Sequence, residues 1–279
     1  MDIEDFRYIY GPVQSWRMGK SLGIDPLSDK VKVCNLDCVY CQLGKTRHLT
    51  NERKEYVDVR EITAEIARFF EVAGKHTPCF TEKIDFITFS GRGEPTLAKN
   101  LGEMILALRA IRDEKIAVIT NSTLMHLSDV QQDLALADVV MAKLDAFNTE
   151  SFLKIDKPIE GISFERIVKG VKEFKGRYKG RLALQIMFMG QNQEYARKIA
   201  SLAREIMPDE IQINTPLRPC GVRPLNKGII KLIKSHFDGL PAVTVYDRDI
   251  EETRPFNVRE TIKRHGNFKN RVSQGTVNV

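Results

Sequence analysis

The chain has 279 residues, 42% of them hydrophobic and 29% charged, which is the balance of an ordinary folded protein and excludes a disordered or fibrous one. No apolar run approaches the roughly 18 residues needed to cross a bilayer, and the acidic start Met1–Arg7 has neither the basic nor the apolar part of a signal peptide, so the cytoplasm is the expected location. The formal charge of +6 is spread along the sequence and fits a solvated basic surface as well as it fits a polyanion such as RNA.

Short β-rich apolar runs alternate with segments of helical period, the pattern of a parallel sheet with crossover helices. The first strand expected is Ser21 to Asp25, followed by a cysteine-bearing loop over residues 30–45. A helix over Val59 to Val72 is opened by Asp58 with Glu61 three residues on, a capping-box spacing. Strands are expected at Ile84 to Ser90, Ile116 to Asn121, Val139 to Leu144, Leu182 to Met189 and Glu210 to Asn214, with Val243 to Tyr246 as an extra. Between them lie helices at Leu101 to Ile111, Asp129 to Leu136 (opened by Ser128 with Gln131), Phe164 to Phe174 and Glu194 to Ile206. Six such units make a partial α/β barrel of residues 1–246. The polar, basic stretch 247–279 is a tail with one short helix, Val258 to His265, that closes the open side of the barrel.

The chemistry is concentrated in the loop. Cys34, Cys38 and Cys41 form a C-x3-C-x2-C run, too closely bunched to pair as disulfides, and no fourth cysteine is nearby. A 4Fe-4S cluster takes four thiolates, so three leave one iron open to a small molecule. A Cys3His zinc site with His48 is the competing reading, although six residues separate it from Cys41. Cys79 and Cys220 stand far apart; buried inert thiols are the ordinary outcome, and Cys220 beside Arg218 is the better candidate for a reactive one. Polar residues recur where parallel strands end, the place where such folds bind ligands. They are Ser90-Gly91-Arg92-Gly93-Glu94-Pro95, Asn121, Lys143 with Asp145, and Asn214 with Arg218.

The cysteine spacing, Tyr40 before the last cysteine and the Gly-Glu-Pro turn after the next strand together resemble the radical S-adenosylmethionine (SAM) superfamily. Gly11 to Asp25 and Asn214 to Pro219 resemble its wyosine-synthetase-like branch, which implies a guanosine in tRNA as substrate. That branch carries a second cluster on three more cysteines, which Cys79 and Cys220 cannot supply. The resemblance implies a TIM-like partial (β/α)6 barrel, one 4Fe-4S cluster on Cys34, Cys38 and Cys41, and SAM chelating the open iron. It further implies Gly91, Gly93 and Glu94 at the SAM ammonium, with Asn121, Lys143 and Asp145 at ribose and carboxylate and Tyr40 on the adenine. A flavodoxin- or ferredoxin-like donor would supply the electron. Arg17, Asn214 and Arg218 are candidates for a substrate that is either tRNA or a protein or peptide.

Overall fold

A computed structural model describes residues 6–28, 30–76, 84–247 and 255–266. The chain opens with an antiparallel hairpin, β1 (Ile9–Ser15) and β2 (Gly19–Ile24). Two short strands in the cysteine loop, β3 (Val33–Cys34) and β4 (His48–Leu49), pair in parallel with each other. Thereafter strands and helices alternate: α1 (Val59–His76), β5 (Phe86–Phe89), α2 (Leu101–Arg109), β6 (Lys115–Thr120), α3 (Ser128–Ala135) and β7 (Val139–Lys143). Two helices, α4 (Thr149–Ile155) and α5 (Phe164–Arg177), precede β8 (Arg181–Met187). The order closes with α6 (Ala196–Ile206), β9 (Glu210–Asn214), α7 (Lys227–Ser235), β10 (Ala242–Thr244) and α8 (Val258–His265).

The sheet order is β1-β2-β5-β6-β7-β8-β9-β10, parallel throughout except for β1 against β2. It curls into a half-barrel of the TIM-like kind. All six expected parallel strands form, and the 243–246 candidate joins as a seventh. Their sequences, such as Val-Val-Met-Ala-Lys in β7, are apolar almost without alternation because both faces are covered. The outer face packs on the helices in one large core that includes Ile62, Leu101, Val130, Phe174 and Ile199. A smaller apolar group of Met18, Ala117, Val139, Met141 and Ala183 fills the concave side, with Met18 entering from the β1–β2 turn.

Several local expectations are corrected. β1 was not among the expected strands; it contains Gly11-Pro12, an edge strand tolerates proline, and the register shifts between Tyr10 and Val13. α4 and α7 were also unanticipated. Neither expected capping box forms. Asp58 accepts from the Arg60 amide (2.8 Å), while Glu61 turns away to accept from the Tyr8 hydroxyl. Ser128 lies inside its helix without a capping bond, and Gln131 donates to the Met125 carbonyl (2.8 Å). The true box is at α4, where Asn148 and Ser151 cap each other reciprocally.

α8 packs beside β1: the Gly11 amide donates to Thr261 Oγ1 (3.0 Å) and the Phe256 amide to the Gly11 carbonyl (2.8 Å). Arg264 on α8 reaches Asp25, just past β2, at 3.3 Å. No helix among the described residues is long and apolar enough to cross a membrane.

Candidate active site

β2 delivers the cysteine loop to the carboxyl end of the sheet, and three segments hold it there. The Gly-rich turn after β5 pairs with it from one side, through Val33 N to the Arg92 carbonyl (3.0 Å) and Glu94 N to the Val33 carbonyl (3.1 Å). The stretch after α4 clamps it from another. Asp37 N donates to the Asp156 carbonyl, Val39 N to the Ile155 carbonyl (both 3.0 Å), and Ile159 N to the Asn35 carbonyl (2.9 Å). Within the loop, Thr46 bonds the Asp37 carboxylate (2.6 Å) and the Leu36 carbonyl (2.7 Å).

The three thiols lie near enough to Lys32 and to one another for their charges to interact. Burial and the Glu94 charge push Cys34 up to about 12, and burial, Asp156 and the other two sulfurs push Cys38 well above an ordinary thiol. Lys32 is held up in turn: burial opposes its charge, but the Cys41, Cys34 and Cys38 thiolates more than offset it. Asn121 Nδ2 lies 3.6 Å from Cys34 Sγ. Such a grouping suits a cluster, whose corners keep its thiolates apart. A single zinc needs all its ligands about 2 Å from one point. His48 lies in β4, opposite Val33 of β3. Cys79 lies outside the described residues. Cys220 bonds the Val222 carbonyl (3.3 Å) and packs in the apolar group of Tyr40, Ile155 and Met189 that Cys38 also borders.

The turn glycines have a reason the sequence did not reveal. A Cβ on Gly93 would stand 1.7 Å from the Val33 carbonyl oxygen, and one on Gly91 2.6 Å from Asp25 Cγ. Both glycines therefore let the turn approach its own chain, and so seat the cysteine loop. Gly93→Ala should cost about 1–3 kcal/mol, because a backbone atom cannot yield as a side chain does. Chemical denaturation checks this, and a loss under 0.5 kcal/mol would show that the turn and loop separate freely.

Glu94 is buried, and its carboxylate already has protein donors. Oε1 accepts from Thr96 N (3.1 Å), Thr96 Oγ1 (2.6 Å) and Thr120 Oγ1 (2.7 Å), and Oε2 accepts from Asn121 N (2.7 Å). Burial raises its pKa against these bonds. Oε2 retains room for one more donor.

Tyr40, Lys143 and Asp145 meet beside the thiols. Lys143 Nζ is 3.2 Å from Asp145 Oδ2, 3.4 Å from Gln185 Oε1 and 4.9 Å from the centre of the Tyr40 ring. The Tyr40 hydroxyl donates to Asp145 and, at 3.3 Å, to Asp156. Asp145 also accepts from Met187 N (2.6 Å). Burial and the Asp145 charge push Asp156 up to about 8. Asp156 was missed by sequence reasoning, its sole signal being the helix stop Asp156-Lys157-Pro158. A cavity of about 10 Å³ lined by Tyr40, Asn121, Lys143 and Asp156 opens here, room for about one water.

The three substrate candidates sit on different segments of the chain. Asn214 ends β9 and accepts from Thr215 N (2.9 Å). Arg218 donates to the His265 ring and carbonyl at the end of α8. Arg17 sits in the β1–β2 turn, at the amino ends of the parallel strands, where burial lowers its pKa to about 10 against the pull of Glu210. Its backbone is thus at the opposite end of the strands from the cysteine loop, while its charge, like that of Arg218, reaches His265.

His265 yields a pH prediction. Burial, then Arg218 and Arg17, hold it well below 6.5, so the unfolded chain takes up a proton that the folded chain refuses. Stability should therefore fall as pH drops through 6.5, by up to about 1.4 kcal/mol per pH unit. His265→Gln should flatten that slope in denaturation curves at pH 7 and pH 5.

Thiols, turn and strand ends together match a known pattern over residues 30–203, the model of the radical SAM superfamily. The chain belongs to the radical SAM superfamily. It is 38% identical over 223 residues to a UPF0026 protein of Synechocystis sp., covering 80% of this chain and 79% of that one. A UPF0026 protein of Methanocaldococcus jannaschii is also 38% identical over 213 residues, 75% of this chain and 64% of its relative. Among solved structures, TYW1 with a lysine–pyruvate adduct bound superposes with a TM-score of 0.62 at 18% identity, over 81% of this chain and 74% of that one, a likeness of fold. Radical SAM proteins are enzymes that use SAM and an iron–sulfur cluster.

Proposed function

We propose that this radical SAM enzyme holds one 4Fe-4S cluster on Cys34, Cys38 and Cys41, binds SAM across the strand ends, and abstracts hydrogen from a nucleoside in tRNA. The observation that supports the cluster reading is that Cys34, Cys38 and Cys41, on one short loop, all lie close enough to Lys32 for their charges to hold its own. When bound, the reduced cluster and SAM supply a 5′-deoxyadenosyl radical that takes a hydrogen atom from the substrate.

The chain's own residues orient and enclose. Gly93 lets the turn press on β3, where the Arg92 carbonyl accepts from Val33 N, and a glycine-rich backbone of this kind can offer carbonyls to an ammonium group. Glu94 Oε2 supplies one further acceptor. Asn121 Nδ2 donates to Asn35 Oδ1 (2.7 Å) and lies 3.6 Å from Cys34 Sγ, and would exchange the weaker sulfur contact for a carboxylate. Lys143 is positioned by Asp145 and Gln185 to pair with a carboxylate or phosphate, and Asp145 to accept from hydroxyls once Tyr40 turns aside. Tyr40 and Leu36 wall the cavity and keep water from the reacting atoms.

The tRNA reading rests on the wyosine-like segments and the fold likeness to TYW1. Nucleoside profiles of tRNA from cells with and without the gene test it: a missing or precursor nucleoside is expected. An unchanged profile would move the substrate to a protein or peptide.

A further inference from the structure

A groove of about 820 Å³ runs along the outer flank of the cysteine loop. Arg7, Lys30, Lys45, Arg47, Arg92 and Lys263 surround it, and the one acidic residue among its described lining, Glu260, is engaged by Lys263 and Arg264. Lys30, Lys45 and Arg47 are exposed, and two apolar side chains, Val31 and Leu43, lie among them, Val31 39% exposed. An apolar spot ringed by charge is the make-up of a small transient protein interface.

Position narrows the partner. The groove takes in both stems of the cysteine loop, residues 30–32 and 43–47, and shares no residue with the cavity at Tyr40, Asn121 and Lys143. A partner seated there would leave the strand ends open for SAM and substrate. Lys32 connects the groove to the thiols: it lines the groove, donates to the Gly44 carbonyl (3.0 Å) and hydrogen-bonds Cys41. The described lining holds no aromatic side chain on which a nucleobase could stack, which disfavours single-stranded RNA as the occupant.

We infer that this basic groove docks an acidic one-electron carrier protein, flavin- or iron–sulfur-bearing, that reduces the cluster from a surface outside that cavity. The step moves one electron: the carrier's flavin or iron centre is oxidised by one, the cluster is reduced by one, and no bond is made or broken. Charge complementarity steers the encounter and makes it salt-dependent. The inference rests on the cluster reading above.

The test uses the full chain with its cluster reconstituted, a flavodoxin as carrier and bulk tRNA as the competing polyanion. Lys30→Glu, Lys45→Glu and Arg47→Glu are combined, all at exposed positions, and folding is checked by circular dichroism. Flavodoxin binding, measured by fluorescence anisotropy across salt concentrations, should weaken by about tenfold or more and lose most of its salt dependence. Electron transfer from flavodoxin hydroquinone should slow in parallel, whereas 5′-deoxyadenosine formed with dithionite, a small reductant that needs no docking, should stay within about twofold. Unchanged flavodoxin affinity overturns the inference. So does an equal or greater loss for tRNA, which would make the groove a polyanion surface. If the unaltered protein makes no 5′-deoxyadenosine with dithionite, the radical reading fails, while charge-dependent flavodoxin binding is judged separately by anisotropy.

Discussion

Cys38→Ala, purified without oxygen, should lose its iron and sulfide and form 5′-deoxyadenosine from SAM at least about 100-fold more slowly than the unaltered protein, to the level of a protein-free control. The expectation is this steep because the three thiolates act as a unit: removing one leaves too few ligands to hold a cluster with an open iron. The fold should survive the change. Cys38 is half-buried beside Tyr40 and Met187, the loop is held by backbone bonds from Asp37, Val39 and Ile159, and none of those bonds uses its sulfur. Cys220→Ala is the matched control, since it removes a thiol from the same apolar group without touching the triad. Full iron content and turnover in Cys38→Ala would sink the cluster assignment; an equal loss in both variants would make Cys220 a fourth participant.

What the sequence disclosed depended on how local the cause was. The parallel strands were legible because burial on both faces writes a nearly unbroken apolar run, as in Phe86–Phe89 and Val139–Lys143. The cysteines were legible because their spacing is itself the ligand geometry. β1 was hidden, since its stability comes from β2 and α8 rather than from its own Gly-Pro-containing segment. Gly91 and Gly93 announced a turn, but the atoms that demand them, in Asp25 and Val33, belong to other elements. Asp156 was silent for the same reason: only the return of the chain after α4 sets its carboxylate against Tyr40. The charge of Lys30, Lys45 and Arg47 was plain in the sequence, yet it counted as diffuse until Arg7, Arg92 and Lys263 joined it around one groove.

Arg264→Met should destabilise the protein by about 3 kcal/mol near neutral pH, because it removes one partner of a buried pair and leaves the other charge uncompensated. The Arg264 side chain is 5% exposed and that of Asp25 1%, at 3.3 Å. The same guanidinium bonds Glu260 and the Arg7 carbonyl, so it ties α8 to the end of β2 and to the N-terminal segment. Methionine keeps most of the volume, which separates the lost charge from a cavity. Burial already raises the Asp25 pKa despite Arg264 and three backbone donors, and without Arg264 it must rise further. The sign follows. A carboxyl whose folded pKa is raised contributes most at low pH and loses that contribution as pH climbs through the folded value. The Arg264→Met defect should therefore be smaller at pH 4–5, where a raised carboxyl is the more protonated, and grow towards pH 8. Adding Asp25→Asn should recover most of the loss at pH 8 and little at pH 4–5. Urea denaturation of the three variants at the two pH values decides it. A defect that is the same at both, and that Asp25→Asn leaves untouched, would place the role of Arg264 in its bonds to Glu260 and Arg7 instead.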